Sequence, residues 1–181
     1  MEKDLEDSIR FSELFHENNH NCWSIAYVKM LLSTCVQIES TLKELCEKYD
    51  PEFSSCRVHI GQLRDAILKE KPNFHATEVQ LPRYGESLQP WEKWLGNSSE
   101  NPEWWRAYND IKHESFSGAT QRNVVNSIAA LFVNLIYLYA DETHPHEEGS
   151  PFNSLYPRPT LFSYPNLYPG SIVYGEKILL P

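Results

Sequence analysis

Between Pro102 and His113 the chain gathers Arg106, Asn109, Lys112 and His113, interleaved with Trp104, Trp105 and Tyr108. An imidazole ordinarily titrates near neutrality, so a histidine can take or give a proton during a reaction. A guanidinium is a permanent cation whose planar fork of donors suits phosphate and other oxyanions. At about 100° per residue, Trp104, Ala107, Tyr108 and Ile111 share one helical face, and Arg106, Asn109, Asp110 and His113 share the other. In one unbroken helix Arg106 and His113 would point the same way, about 10 Å apart along the axis. The same residues also fit structural roles. Arg106 and Asp110 have the spacing of a surface ion pair worth about 0.3–0.5 kcal/mol. His113 suits the negative end of a helix dipole, and Trp104, Tyr108 and Ile111 suit a core.

The elements that must position this stretch are mostly helical. Residues 1–19 are polar, with Phe11, Leu14 and Phe15 as docking points for a short helix and Asn18, Asn19 or Asn21 as caps for the next. From Asn21 to Tyr49 a wide apolar stripe predicts a long helix, stopped by Asp50-Pro51. Tyr27, Lys29 and Lys43 on it are plausible groove residues. A second helix is predicted over His59–Lys71, ended by Pro72. Phe74 to Leu81 alternates apolar and polar residues before the turn signal Pro82-Arg83-Tyr84-Gly85, which predicts a small extended excursion or hairpin. A short aromatic helix start follows at Gln89–Trp94, and Pro102 stands where the central helix begins. Thr120 can cap the last long helix, Gln121 to Tyr139, whose nearly all-round apolar surface marks it as the central member. His59 and His75 have no evident partners.

Beyond Asp141 the composition changes. Seven prolines lie between Pro145 and Pro181, with Phe152, Tyr156, Phe162, Tyr164, Tyr168 and Tyr174 among them. No helix survives that proline spacing, and disordered tails rarely hold so many aromatics. The expected organisation is a helical-bundle domain over 1–142 and an extended arm over 143–181, packed on its own bundle or on a neighbouring subunit. Ser171–Tyr174 and Ile178–Leu180 are candidate edge strands of that arm.

The 181 residues suit one domain with an appendage, and a hydrophobic share of 41% is enough for a real core. A net charge of −9 argues against broad, non-specific binding to nucleic acid or an anionic membrane. The acidic N-terminus is unlike a targeting peptide, and the apolar run Val124–Ala140 is short for a bilayer, so a cytoplasmic protein with no membrane partner is expected. Cys22, Cys35, Cys46 and Cys56 form no C-x-x-C pair. Cys35 and Cys46 are too far apart in one helix to be bridged, so buried free thiols are expected. His144-Pro145-His146 with Glu147 and Glu148 is a weak metal pattern without a third ligand cluster; no metal or other cofactor is expected.

Arg106-x6-His113, placed just before a long apolar helix, resembles the signature of the HEPN superfamily, in which an Arg is followed four to six residues later by a His. The tract Asn109-Asp110-Ile111-Lys112-His113 and the segment Val124–Phe132 resemble the second half of such a domain. Together with Ile60-Gly61-Gln62-Leu63-Arg64-Asp65 and Pro90-Trp91, they are also similar to uncharacterised bacterial proteins carrying Trp-Trp-x-x-Tyr-Asn-x-x-Lys-His. The resemblance covers roughly residues 20–140 in organisation, with a sharp motif of about a dozen residues. It implies a mainly α fold, a HEPN-like up-and-down helical bundle.

For function the resemblance implies a metal-independent endoribonuclease acting as an effector of a bacterial defence or toxin system, with two motifs sharing one cleft in a homodimer. His113 would move the proton of the ribose 2′-hydroxyl, Arg106 would stabilise the transition-state phosphorane, and Asn109 would orient the imidazole or hold a phosphate oxygen. Lys112 and Tyr108 would add phosphate contacts, and Trp104 or Trp105 would stack a base. Ala107 follows Arg106 where many active members carry a small polar residue. Two other readings use the same bundle. One is a non-catalytic module holding a partner protein or nucleotide on the Arg106/Asn109/His113 face; the other is a structural subunit whose arm swaps onto a neighbour.

Overall fold

The computed structural model describes residues 2–95, 100–113, 116–139 and 160–163. The chain is mainly helical. Its α-helices run α1 (Glu2–Ile9), α2 (Ile25–Tyr49), α3 (Ile60–Glu70), α4 (Glu103–Lys112) and α5 (Gln121–Tyr139). A hairpin of β1 (Val79–Leu81) and β2 (Glu86–Leu88) lies between α3 and α4.

The packing of α2 against α5 is the most extensive in the fold. From α2, Leu31, Cys35, Ile38, Leu42 and Leu45 are fully buried, as are Val124, Ala129, Ala130, Val133, Ile136 and Tyr137 of α5. The sequence of α5 is apolar on nearly every side, and the fold surrounds it accordingly. Within this interface Asn134 Nδ2 donates to Thr41 Oγ1 at 3.0 Å. Lys48 Nζ donates to the carbonyls of Tyr137 and Leu138 at 2.8 and 3.1 Å, so a cation closes the negative end of α5.

Local chemistry sets the helix ends. Helix α2 starts four residues later than its apolar stripe suggests. The chain turns at Asn19 and Cys22, whose amides donate to His16 and Asn19 carbonyls, and Ser24 then caps by accepting from Tyr27 N at 3.1 Å. For α3 the cap is His59, whose ring accepts from Gly61 N at 3.1 Å while Gln62 Oε1 accepts from His59 N at 3.0 Å. That histidine therefore has partners. So does His75, whose Nδ1 donates to Pro72 O at 2.9 Å. Thr120 caps α5 through Asn123 N at 3.3 Å, as its type and place suggest.

The excursion is only partly extended. Phe74–Ala76 forms a 3₁₀ turn, and the strand begins at Val79. Strand register pairs Val79 with Leu88 and Leu81 with Glu86, and Gly85 takes a φ of 65° in the connecting turn. Burial of Phe74 explains the turn: its ring meets Tyr137 at 4.7 Å, Trp91 at 5.8 Å and Trp94 at 5.9 Å. Trp91 in turn meets Trp104 of α4 at 5.0 Å. This aromatic cluster joins the hairpin region to α4 and α5.

At the N-terminus, Leu5 and Leu14 are buried, but Phe11 is 92% exposed instead of docked. Residues 160–163 lie on the same bundle. Leu161 and Phe162 are buried, Phe162 meets Phe132 at 6.2 Å, and Gln80 and Ser163 exchange both backbone hydrogen bonds at 2.8 Å. The rest of the proposed arm, including His144, His146 and the two candidate edge strands, falls outside the described residues. All four cysteines are free, but only Cys35 and Cys46 are buried; Cys22 and Cys56 are exposed.

Candidate functional site

Helix α4 is fixed from both ends. Pro102 precedes its first turn, and its carbonyl accepts from Trp105 N and Arg106 N, both at 3.1 Å. The indole of Trp104 donates to Pro90 O at 3.1 Å, tying the helix to the aromatic cluster. Past its other end, Gly118 approaches so closely that a Cβ there would sit 2.9 Å from Ala107 Cβ. Asn123 Nδ2 then donates to Gly118 O at 2.9 Å, joining that turn to α5.

The inner face of α4 follows the wheel. Trp104, Ala107, Tyr108 and Ile111 are buried, and so is Trp105. Trp105 and Tyr108 retain 6% and 3% exposure, and their rings pack together at 5.2 Å. A base has no open ring face to stack on at either residue. Nor does the Tyr108 ring reach solvent freely, since Lys112 Nζ lies 3.8 Å from its centroid. Lys112 is exposed and held over that ring.

The outer face carries Arg106, Asp110 and His113, all exposed, with Asn109 half-buried. No ion pair joins Arg106 to Asp110 among the described residues. Asn109 is less free: its Nδ2 donates back to Trp105 O at 3.1 Å, so the amide is turned along its own helix. His113 is not part of one continuous helix with Arg106. It is the C-cap, with φ −109° and ψ 28°, and its backbone N–H donates to the carbonyls of Asp110 and Ile111. Its ring therefore leaves from the end of the helix. No hydrogen bond holds that ring among the described residues.

Chemically, this arrangement offers to solvent a guanidinium on the outer side of α4 and an imidazole at its end. One groove of the described residues, lined by α1 and the start of α2, has no lining residue from α4. Among the described residues no group of three or more His, Cys, Asp or Glu side chains is placed to hold a metal ion, and no helix is long and apolar enough to cross a membrane. The acidic and aromatic residues of that groove, Asp4, Asp7, Phe11 and Trp23, carry no motif; of the groove residues expected from the sequence, Tyr27 and Lys29 line it and Lys43 does not.

No family model, curated protein or solved structure matches the chain.

Proposed function

We propose that this chain is a HEPN-like, metal-independent ribonuclease of a bacterial defence or toxin system, with Arg106 and His113 as its reacting pair. The observation that carries this reading is that both side chains are exposed, Arg106 on the outer side of α4 without an ion pair to Asp110 and His113 at the cap that ends the helix. A guanidinium neutralised by a carboxylate, or an imidazole sealed in the core, would not serve. In the proposed step His113 takes the proton of a ribose 2′-hydroxyl as that oxygen attacks the adjacent phosphorus. Arg106 faces the growing negative charge on the non-bridging oxygens. The bond from phosphorus to the 5′-oxygen breaks, leaving a 2′,3′-cyclic phosphate, and the 5′-oxygen takes a proton from a second imidazole or from solvent.

A single outward helix face gives a phosphodiester only one wall. The reading therefore includes a homodimer, in which a second copy brings its own Arg106 and His113 across from the first. Asn109, whose Nδ2 is engaged with Trp105 O, keeps its amide oxygen for the substrate, and Lys112 adds positive charge. Trp105 and Tyr108 hold the helix in place and are left out of the substrate contacts.

The test is incubation of the purified chain with total RNA in EDTA. Wild type is expected to degrade it, and His113→Ala and Arg106→Ala each to lose about 10²–10⁴-fold in rate, the usual worth of one proton-transfer or charge-stabilising group. Both substitutions are at exposed positions, so the unfolding temperature should stay within a degree or two of wild type. The net charge of −9 favours the second reading, a non-catalytic module for a partner protein. Equal inertness of wild type and both variants would select it.

A further inference from the structure

We infer that the groove between α1 and the start of α2 is a docking site for a basic, amphipathic helix supplied by another protein. This site is separate from α4 and does not depend on the ribonuclease reading. The groove is open along one side and encloses about 750 Å³, inside the range of 300–1,000 Å³ typical of binding clefts. Asp4 and Asp7 stand on its α1 wall, Tyr27 and Met30 are buried in its floor, and Trp23 and Phe11 border it.

Three observations point to the occupant. The first is apolar surface in the wrong place: Phe11 is 92% exposed and Trp23 55% exposed, both beside a concave surface. Single exposed apolar residues are ordinary, but aromatic side chains clustered around a cleft mark an anchor site for apolar side chains of a partner.

The second is the preformed frame. The segment leading into α2 is tied to α5 by Gln121 N donating to Cys22 O at 2.9 Å and Arg122 N donating to His20 O at 3.3 Å. The groove thus has a helix on one side and a fixed strand-like wall and helix on the other, a shape that accepts the apolar face of a third helix.

The third is charge. Residues 2–19 carry a net of −4; of their acids Asp4 and Asp7 line the groove, while Glu2 and Glu6 accept hydrogen bonds from residues 160–162. The one cation among the lining residues is Lys29. Arg10 reaches Asp7 only at 3.8 Å in open solvent, a contact that competes weakly with an incoming cation. A second copy of this chain would bring another −9 against this wall, and nucleic acid would bring more. A helix with Lys or Arg flanking an apolar stripe satisfies both the floor and the wall.

The chain supplies its own reporter, because the exposed thiol of Cys22 lines the groove while that of Cys56 does not. A displayed library of random 16-residue peptides is selected on the full chain, and the enriched peptides are tested for slowing alkylation of each cysteine by mass spectrometry. The expected peptides have net positive charge and apolar residues at helical spacing. They slow Cys22 at least tenfold and leave Cys56 unchanged. Binding should fall at least tenfold with Ala26→Arg, at an exposed helical alanine of the groove, and with the double variant Asp4→Asn/Asp7→Asn. Phe11→Ser, at a side chain that makes no core contact, keeps the fold intact and should weaken binding as well. The inference is overturned by enriched peptides that are acidic or neutral, by equal effects on both thiols, by binding that survives Ala26→Arg, or by a selection that yields no binder.

Discussion

Cys35 and Cys46 face inward from α2, and burial holds both thiols well above their ordinary range; Cys46 is pushed up to about 12, with Glu47 adding in the same sense. For Cys35 the nearby Lys112 pulls the other way but does not offset the loss of solvent. Below the unfolded value of about 9.0 both states are protonated, so these thiols give no pH dependence there. Between that value and about 12 the unfolded chain releases protons that the folded chain keeps, and stability falls as pH rises. The urea midpoint of wild type is therefore expected to drop between pH 8 and pH 10 by more than that of Cys46→Ala. Parallel slopes for the two proteins would contradict this. At the same scale, the inward set of α4, Trp104, Ala107, Tyr108 and Ile111, was legible in the sequence, because one period decides it. The burial of Trp105 was not, since it lies at the edge of the stripe, where its ring packs on Trp104 and Tyr108 of the same helix.

Helix α4 is held where it is by the close approach of Gly118 to Ala107. A methyl group at Gly118 would lie 2.9 Å from Ala107 Cβ and 3.2 Å from its Cα, so the helix or the turn must move. Gly118→Ala is expected to cost about 1–3 kcal/mol in urea unfolding, the usual range for overpacking. Adding Ala107→Gly should recover part of that loss despite its own helix penalty of about 1 kcal/mol. No recovery in the double variant would place the strain elsewhere. The long helices were readable because period and caps agree, as at Asp50-Pro51 and Thr120. Three boundaries were not. Ser24 caps α2 because the upstream asparagines are taken up in turns. Phe74 is drawn into a 3₁₀ turn by aromatic partners distant in sequence. His113 ends α4 as a cap, a choice that two backbone hydrogen bonds make and a helical wheel cannot see.

Across the whole molecule the two ends of the described chain are joined by two carboxylates of α1. Glu2 Oε1 accepts from the backbone N–H groups of Thr160, Leu161 and Phe162 at 2.9, 2.6 and 3.1 Å, and Glu6 Oε1 accepts from Thr160 Oγ1 at 2.6 Å. Hydrogen bonds to a charged acceptor contribute about 1.5–3 kcal/mol net when shielded, so Glu2→Ala should speed amide exchange at Leu161 and Phe162 about tenfold. Exchange in α2 and α5 should not change, because their packing is independent of this clip. Unchanged rates at 161 and 162 would mean that the buried side chains alone hold the strip. The sequence predicted an arm packed on its own bundle or on a neighbouring subunit; residues 160–163 lie on a β1 edge and an α1 carboxylate that only the fold brings together. The central claim concerns the outer side of α4, and product chemistry tests it most directly. Total RNA incubated with the wild-type chain in EDTA should accumulate 2′,3′-cyclic phosphate ends, and His113→Ala should produce none above the no-protein control. Cyclic ends that form equally with His113→Ala, or wild-type protein that yields none, would contradict the assignment.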